Sequence, residues 1–108
     1  MANASILVLT HLPDRAAAVA LARALVTSRL AACVNVGAPV ESMYHWQGQI
    51  ETAVEIPVAV KTRAALYSRV EAAIRAAHPY ELPEIVAVPL THGYPPYLDW
   101  IAGETIAS

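Results

Sequence analysis

The sequence predicts an α+β fold, a ferredoxin-like βαββαβ sandwich with an extra C-terminal helix. Three observations predict it. Strand-like and helix-like apolar patterns follow one another along the chain in that order. The 108 residues suffice for a single domain, residues 1–108, and are too few for two cores. The first and last strands read as apolar on both faces, so two helices packed on one side leave the other side needing cover.

The first strand is expected from Ser5 to His11, where Ile6, Leu7, Val8 and Leu9 run together without alternation. Pro13-Asp14 opens a helix, because Pro is tolerated in a first turn and Asp suits the positive end of the dipole. Ala18, Leu21, Ala22, Leu25 and Val26 then recur at helical spacing, with Arg15, Arg23 and Arg29 on the wetter faces. A second strand starts at Cys33-Val34-Asn35-Val36, bends at Gly37-Ala38-Pro39 and resumes from Glu41 to Trp46. Ser42, Tyr44 and Trp46 share one face of it. Gln47-Gly48 reads as a tight hairpin turn in which Gly supplies a positive φ.

The third strand, Ile50 to Lys61, alternates most clearly, with Val54, Ile56, Val58 and Val60 on one face and Glu51, Glu55, Pro57 and Lys61 on the other. Pro57 cannot donate to a ladder, so its N side is expected at an edge or bulge. Thr62 is expected to cap the next helix, whose stripe is Leu66, Val70, Ala73, Ile74 and Ala77. His78-Pro79 ends that helix. Leu82 to Leu90 forms the fourth strand, and after Gly93 and Pro95-Pro96 a short helix runs from Tyr97 to Ala102.

Hydrophobic residues make up 56% of the chain and charged residues 15%, which excludes intrinsic disorder. A monomer of this size cannot hide that much apolar side chain, so part of it is expected to face another subunit. The 7 Lys+Arg against 9 Asp+Glu give a net charge of −2, too little positive charge for a nucleic-acid surface. The single Cys33 excludes a disulfide framework and any zinc site built on two thiolates. Met1-Ala2-Asn3-Ala4-Ser5 lacks a basic segment, and Ile6 to Leu9 is too short for a signal-peptide core. No apolar run approaches the roughly 18 residues of a membrane span. A cytoplasmic protein without membrane insertion is expected.

Several chemistries lack their motifs. There is no glycine-rich phosphate loop and no nucleophile elbow. Thr10-His11-Leu12-Pro13 offers neither a Cys-x-x-Cys metal loop nor an Arg-bearing glycine loop. The remaining polar and aromatic residues cluster at element ends, where function concentrates. His78, near Glu81 and Glu84, reads as a metal ligand, a general base or a helix C-terminal cap. Cys33 reads as a soft-metal ligand or, among Ala31, Ala32 and Val34, as a small core residue. Tyr44, Trp46, Tyr80, Tyr97 and Trp100 would line a ligand cleft, pack a subunit interface, or both. Glu51, Glu55 and Glu84 read as acid/base or metal groups or as solvated strand faces and intersubunit ion pairs, and for Glu55 the solvated or ion-paired reading is preferred. His11, His45 and His92 have no partner identifiable from spacing.

Arg29-Leu30-Ala31-Ala32-Cys33-Val34-Asn35 resembles a segment of the divalent-cation-tolerance (CutA) family. So do Ser42-Met43-Tyr44-His45-Trp46-Gln47-Gly48-Gln49-Ile50-Glu51, Lys61-Thr62, His78-Pro79-Tyr80-Glu81-Leu82-Pro83-Glu84 and the closing Tyr97-Leu98-x-Trp100. The resemblance covers residues 6–101. It implies a homotrimer built like the PII signalling proteins, with three sheets facing an internal core and long hairpins clasping neighbours. It also implies a role in tolerance of divalent ions, with copper binding attributed to members and no established enzymatic activity. Of a ligand set used by some bacterial members, this chain carries only His78, Thr10 and Ala77 standing where those members have Cys and His. The expected function is thus a non-enzymatic trimer that binds a divalent cation, copper among them, or a small molecule. Its cleft would lie between subunits near Tyr44, Trp46, Tyr80, Glu84 and Trp100, with His78 as the metal residue. The alternatives are an enzyme that uses His78 and Glu84, and an anchoring trimer for partner proteins.

Overall fold

A computed structural model describes residues 4–107. Met1, Ala2 and Asn3 of the N-terminal segment considered above lie outside the described residues. The elements are β1 (Ser5–Leu12), α1 (Arg15–Thr27), β2 (Cys33–Val36), β3 (Val40–Trp46), β4 (Gln49–Arg63), a 3-10 turn (Ala64–Leu66), α2 (Tyr67–Ala77), β5 (Val86–Pro89) and α3 (Pro95–Glu104). With β2 and β3 as two halves of one bent strand, this is the expected βαββαβ order followed by a helix.

The sheet order is β2-β4-β1-β5, with β3 also on β4 and every pairing antiparallel. Val8, Leu12, Val58 and Val60 point to one face and pack against Ala18, Leu21, Leu25, Val70 and Ile74 of the two helices. The opposite face carries Leu7 and Leu9, whose cross-strand partners are Lys61 and Ala59 on one side and Val88 and Val86 on the other. Val86 and Val88 remain 48% and 43% exposed, so this apolar face is uncovered in a single chain. α3 covers one corner of it. Lys61 Nζ stands 5.7 Å from the Tyr97 ring centre, and Arg63 Nε donates to Thr105 Oγ1 at 2.9 Å.

Asp14 caps α1 from outside, its carboxylate accepting the Ala17 N–H at 2.8 Å, so Pro13 precedes the helix. The helix closes in a Schellman motif: Leu30 N–H reaches Leu25 O at 3.0 Å and Arg29 N–H reaches Val26 O at 3.0 Å, with Arg29 at φ 59°. At the hairpin, Gln47 (φ 51°) and Gly48 (φ 79°) form the expected turn with two left-handed residues.

Pro57 lies where the bent strand breaks. β2 ends its pairing at Val36 opposite Val58, and β3 begins at Val40 opposite Glu55. Gly37 N–H donates to Pro57 O at 2.9 Å. Since N–H and C=O of one strand residue point the same way, the missing donor of Pro57 falls at the interruption, as its chemistry requires.

Three expectations are corrected. Thr62 does not cap α2: it is a fully buried residue of β4 that donates from Oγ1 to Leu30 O at 2.6 Å, and the chain passes through a 3-10 turn before α2 begins. The fourth strand is only Val86–Pro89, because Pro83 cannot join a ladder and Leu82, 72% exposed, lies in the loop before it. The last helix runs from Pro95 to Glu104, with both prolines in its first turn, where their missing N–H groups cost nothing. Cys33 is outside the helix-side core. It is half-buried beside Lys61 on the uncovered face, with Sγ 3.9 Å from Asn35 Oδ1.

Candidate functional site

The hairpin β3–β4 projects past the rest of the sheet and leaves Met43, Ile50 and Val54 64–70% exposed. A cleft of about 770 Å3 opens at its root. One wall is the hairpin, with Ser42, Met43, Tyr44, Trp46 and Glu55. The other is the loop Tyr80-Glu81-Leu82-Pro83-Glu84, and His11 at the end of β1 closes the base.

His78 fixes the loop without entering the cleft. It is 8% exposed, and its backbone N–H closes α2 on Ile74 O at 2.9 Å. Its Nδ1 accepts the Tyr80 N–H at 3.2 Å. Nε2 is therefore the protonated nitrogen and donates to His11 O at 2.5 Å. The Tyr80 ring leans on the imidazole with centroids 4.6 Å apart. The capping reading of His78 describes its backbone. The ring ties α2 and the loop to β1, and both of its nitrogens are engaged.

Glu55 is the residue the sequence pattern hid. It is 8% exposed rather than solvated, and it faces the cleft. Burial first, then the nearby Glu55 carboxylate as acceptor and as charge, hold the Tyr80 pKa above its ordinary value. Glu84 meets His11: Oε1 lies 3.3 Å from His11 Nδ1, within ion-pair distance though off the line of a hydrogen bond. Alternation cannot reveal these partners, because a strand pattern gives the face of Glu55 but not which loop folds over it. Tyr44, Trp46, Tyr80 and Glu84 thus come together. Trp100 does not: it stacks on Tyr97 at 5.5 Å on α3.

The lining has three aromatic rings and three carboxylates, Glu55, Glu81 and Glu84, with no Lys or Arg among the described residues. A resident metal ion does not fit the donors of a single chain. Among the described residues no three of His, Cys, Asp or Glu converge on a point, and a stable site needs three or four ligands.

A family model described as CutA1 divalent ion tolerance protein matches residues 6–104. The chain is 41% identical over 98 residues to a divalent-cation tolerance protein CutA of Thermus thermophilus, covering 91% of this chain and 95% of that one. It is 42% identical over 89 residues to a protein CutA of Mus musculus, covering 82% of this chain, and it spans only 50% of the mouse protein's length. A crystal structure of CutA1 from Oryza sativa superposes with a TM-score of 0.94 at 35% identity, over 97% of this chain and 96% of the other.

Proposed function

The chain belongs to the CutA1 divalent ion tolerance family, and on that premise we propose that it is a cytoplasmic, non-enzymatic homotrimer of PII-like architecture whose cleft, lying between subunits, takes up a divalent cation or a small ligand. Copper is the divalent ion to test first, as one the family resemblance suggests.

The observation that carries this reading is the position of the cleft. His11 and Glu55 stand at one end of the sheet face that a single chain leaves bare, and the hairpin beside them projects with its apolar residues exposed. A subunit covering Leu7, Leu9, Val86 and Val88 would border the cleft, and the hairpin would reach onto it. Burying a few thousand Å2 at about 25 cal/mol per Å2 outweighs any single hydrogen bond, which favours an obligate assembly. A cation that finds too few donors in one protomer would draw the rest from its neighbour.

The enzyme reading loses its support, since Glu84 lies against His11 and His78 uses both ring nitrogens elsewhere. None of the described helices is long and apolar enough to cross a membrane. Light scattering at micromolar concentration should give the mass of three chains. Calorimetric titration of Cu(II) into metal-free protein should show saturable binding that Glu55→Gln and Glu84→Gln weaken. A mass of one or two chains, or no saturable binding of any ligand, would contradict the proposal.

A further inference from the structure

We infer that the small ligand the cleft at the hairpin root takes up is an organic ammonium ion, an alkyl or arylalkyl amine in its protonated form, selected over neutral or anionic molecules of the same shape. This rests on the reading of the cleft as a ligand site and names the class of ligand.

Two requirements separate the ligand classes. A bare divalent ion needs several donors at coordination distance, and no such group converges among the described residues. An ammonium with an apolar body needs much less: one poorly solvated carboxylate and an aromatic face within about 6 Å. Both are present. Glu55 is 8% exposed at the cleft wall, where little water screens its charge. Tyr44 and Tyr80 are 41% and 37% exposed, and Trp46 is half-buried, so all three rings still offer surface. The Tyr80 ring leans on the His78 imidazole and its backbone N–H is bonded to His78 Nδ1, which fixes that ring in advance of binding. Glu81 and Glu84 add charge of the same sign, and no described Lys or Arg neutralises it at the cleft. An anion would meet this field unpaired, and a neutral molecule would gain only the apolar contact.

The test uses three molecules of one shape and different charge: benzylammonium, benzyl alcohol and benzoate. Each is titrated into the intact assembly, with the Trp46 indole N–H followed by NMR and assigned through Trp46→Leu. Benzylammonium should shift that resonance saturably and bind at least about tenfold tighter than benzyl alcohol, and benzoate should not bind. Glu55→Gln removes the charge at nearly unchanged shape and should lose about tenfold in benzylammonium affinity. Tyr44→Ala, with the mass of the assembly checked by light scattering, tests the aromatic wall and should weaken binding as well. Equal binding of all three probes, or tighter binding of benzoate, overturns the ammonium assignment while leaving the cleft a ligand site. Saturable binding of Cu(II) at Trp46 with none of benzylammonium also overturns it and leaves the divalent-cation reading standing. If neither cation perturbs Trp46 in an intact trimer, the cleft itself fails as a site.

Discussion

His78 donates from Nε2 to the carbonyl oxygen of His11 at 2.5 Å. This one bond joins the end of α2 to the end of β1, and through Nδ1 it also sets the Tyr80 backbone. His78→Ala would leave a part-buried carbonyl and N–H without these partners, so urea denaturation should show a loss of about 1–3 kcal/mol. Copper titration of the variant should keep the wild-type stoichiometry, because neither ring nitrogen is free to ligate. A lost equivalent would mean that the ring releases His11 to bind metal.

The strand break opposite Pro57 requires glycine for a steric reason. A Cβ on Gly37 would stand 2.8 Å from Pro57 Cγ, and the proline ring cannot swing away. Gly37→Ala should cost about 1–3 kcal/mol in denaturant unfolding. In the double variant with Pro57→Ala the offending atom is gone, and most of that loss should be recovered. Additive losses would place the cost elsewhere.

These two sites show which features the sequence could reveal. Alternation from Val54 to Val60, the bend at Gly37–Pro39 and the Gln47-Gly48 turn depend on near neighbours, so the strands around them were legible. The helix start at Pro13-Asp14 was legible in the same way, although both residues lie before the first turn and Asp14 acts as the cap. Thr62 misled because a hydroxyl before a helical stripe looks the same whether it caps the helix or, as here, binds Leu30 across the sheet edge. The cleft was half legible. Its aromatic residues stood out by type, whereas the burial of Glu55 at the cleft and the pairing of His11 with Glu84 depend on how a loop closes over a sheet end. Trp100 was drawn in by type alone, and the path of α3 puts it elsewhere.

Two phenols should make the protein sensitive to alkali. Tyr67 donates to Glu71 Oε2 at 2.8 Å, and that bond, followed by burial and the Glu71 charge, raises its pKa above 10.0. Tyr80 is raised by burial and by Glu55. A phenol whose pKa is higher folded than unfolded contributes stability that is fully present below the unfolded value and is lost as pH rises through the folded one. The urea midpoint should therefore fall above about pH 10. It should fall less steeply in the double variant Tyr67→Phe, Tyr80→Phe, which has no such bonds to lose. An identical slope would remove both tyrosines from the effect.

The bare sheet face gives the sharpest test of assembly. Val88 on β5 is 43% exposed in a single chain, and Val19 on the outer side of α1 is 38% exposed, so an isolated protomer would tolerate Asp at either position about equally. The two positions differ only if one face is covered by other subunits. Val88 lies beside Leu7 on the face opposite both long helices, and a carboxylate buried there in each of three copies would cost several kcal/mol per copy without a partner. Val88→Asp should reduce the mass measured by light scattering from three chains to one. Val19→Asp should leave it at three. The reverse result would place the subunit contact on α1, and an unchanged mass for both variants would leave the sheet face without its proposed cover.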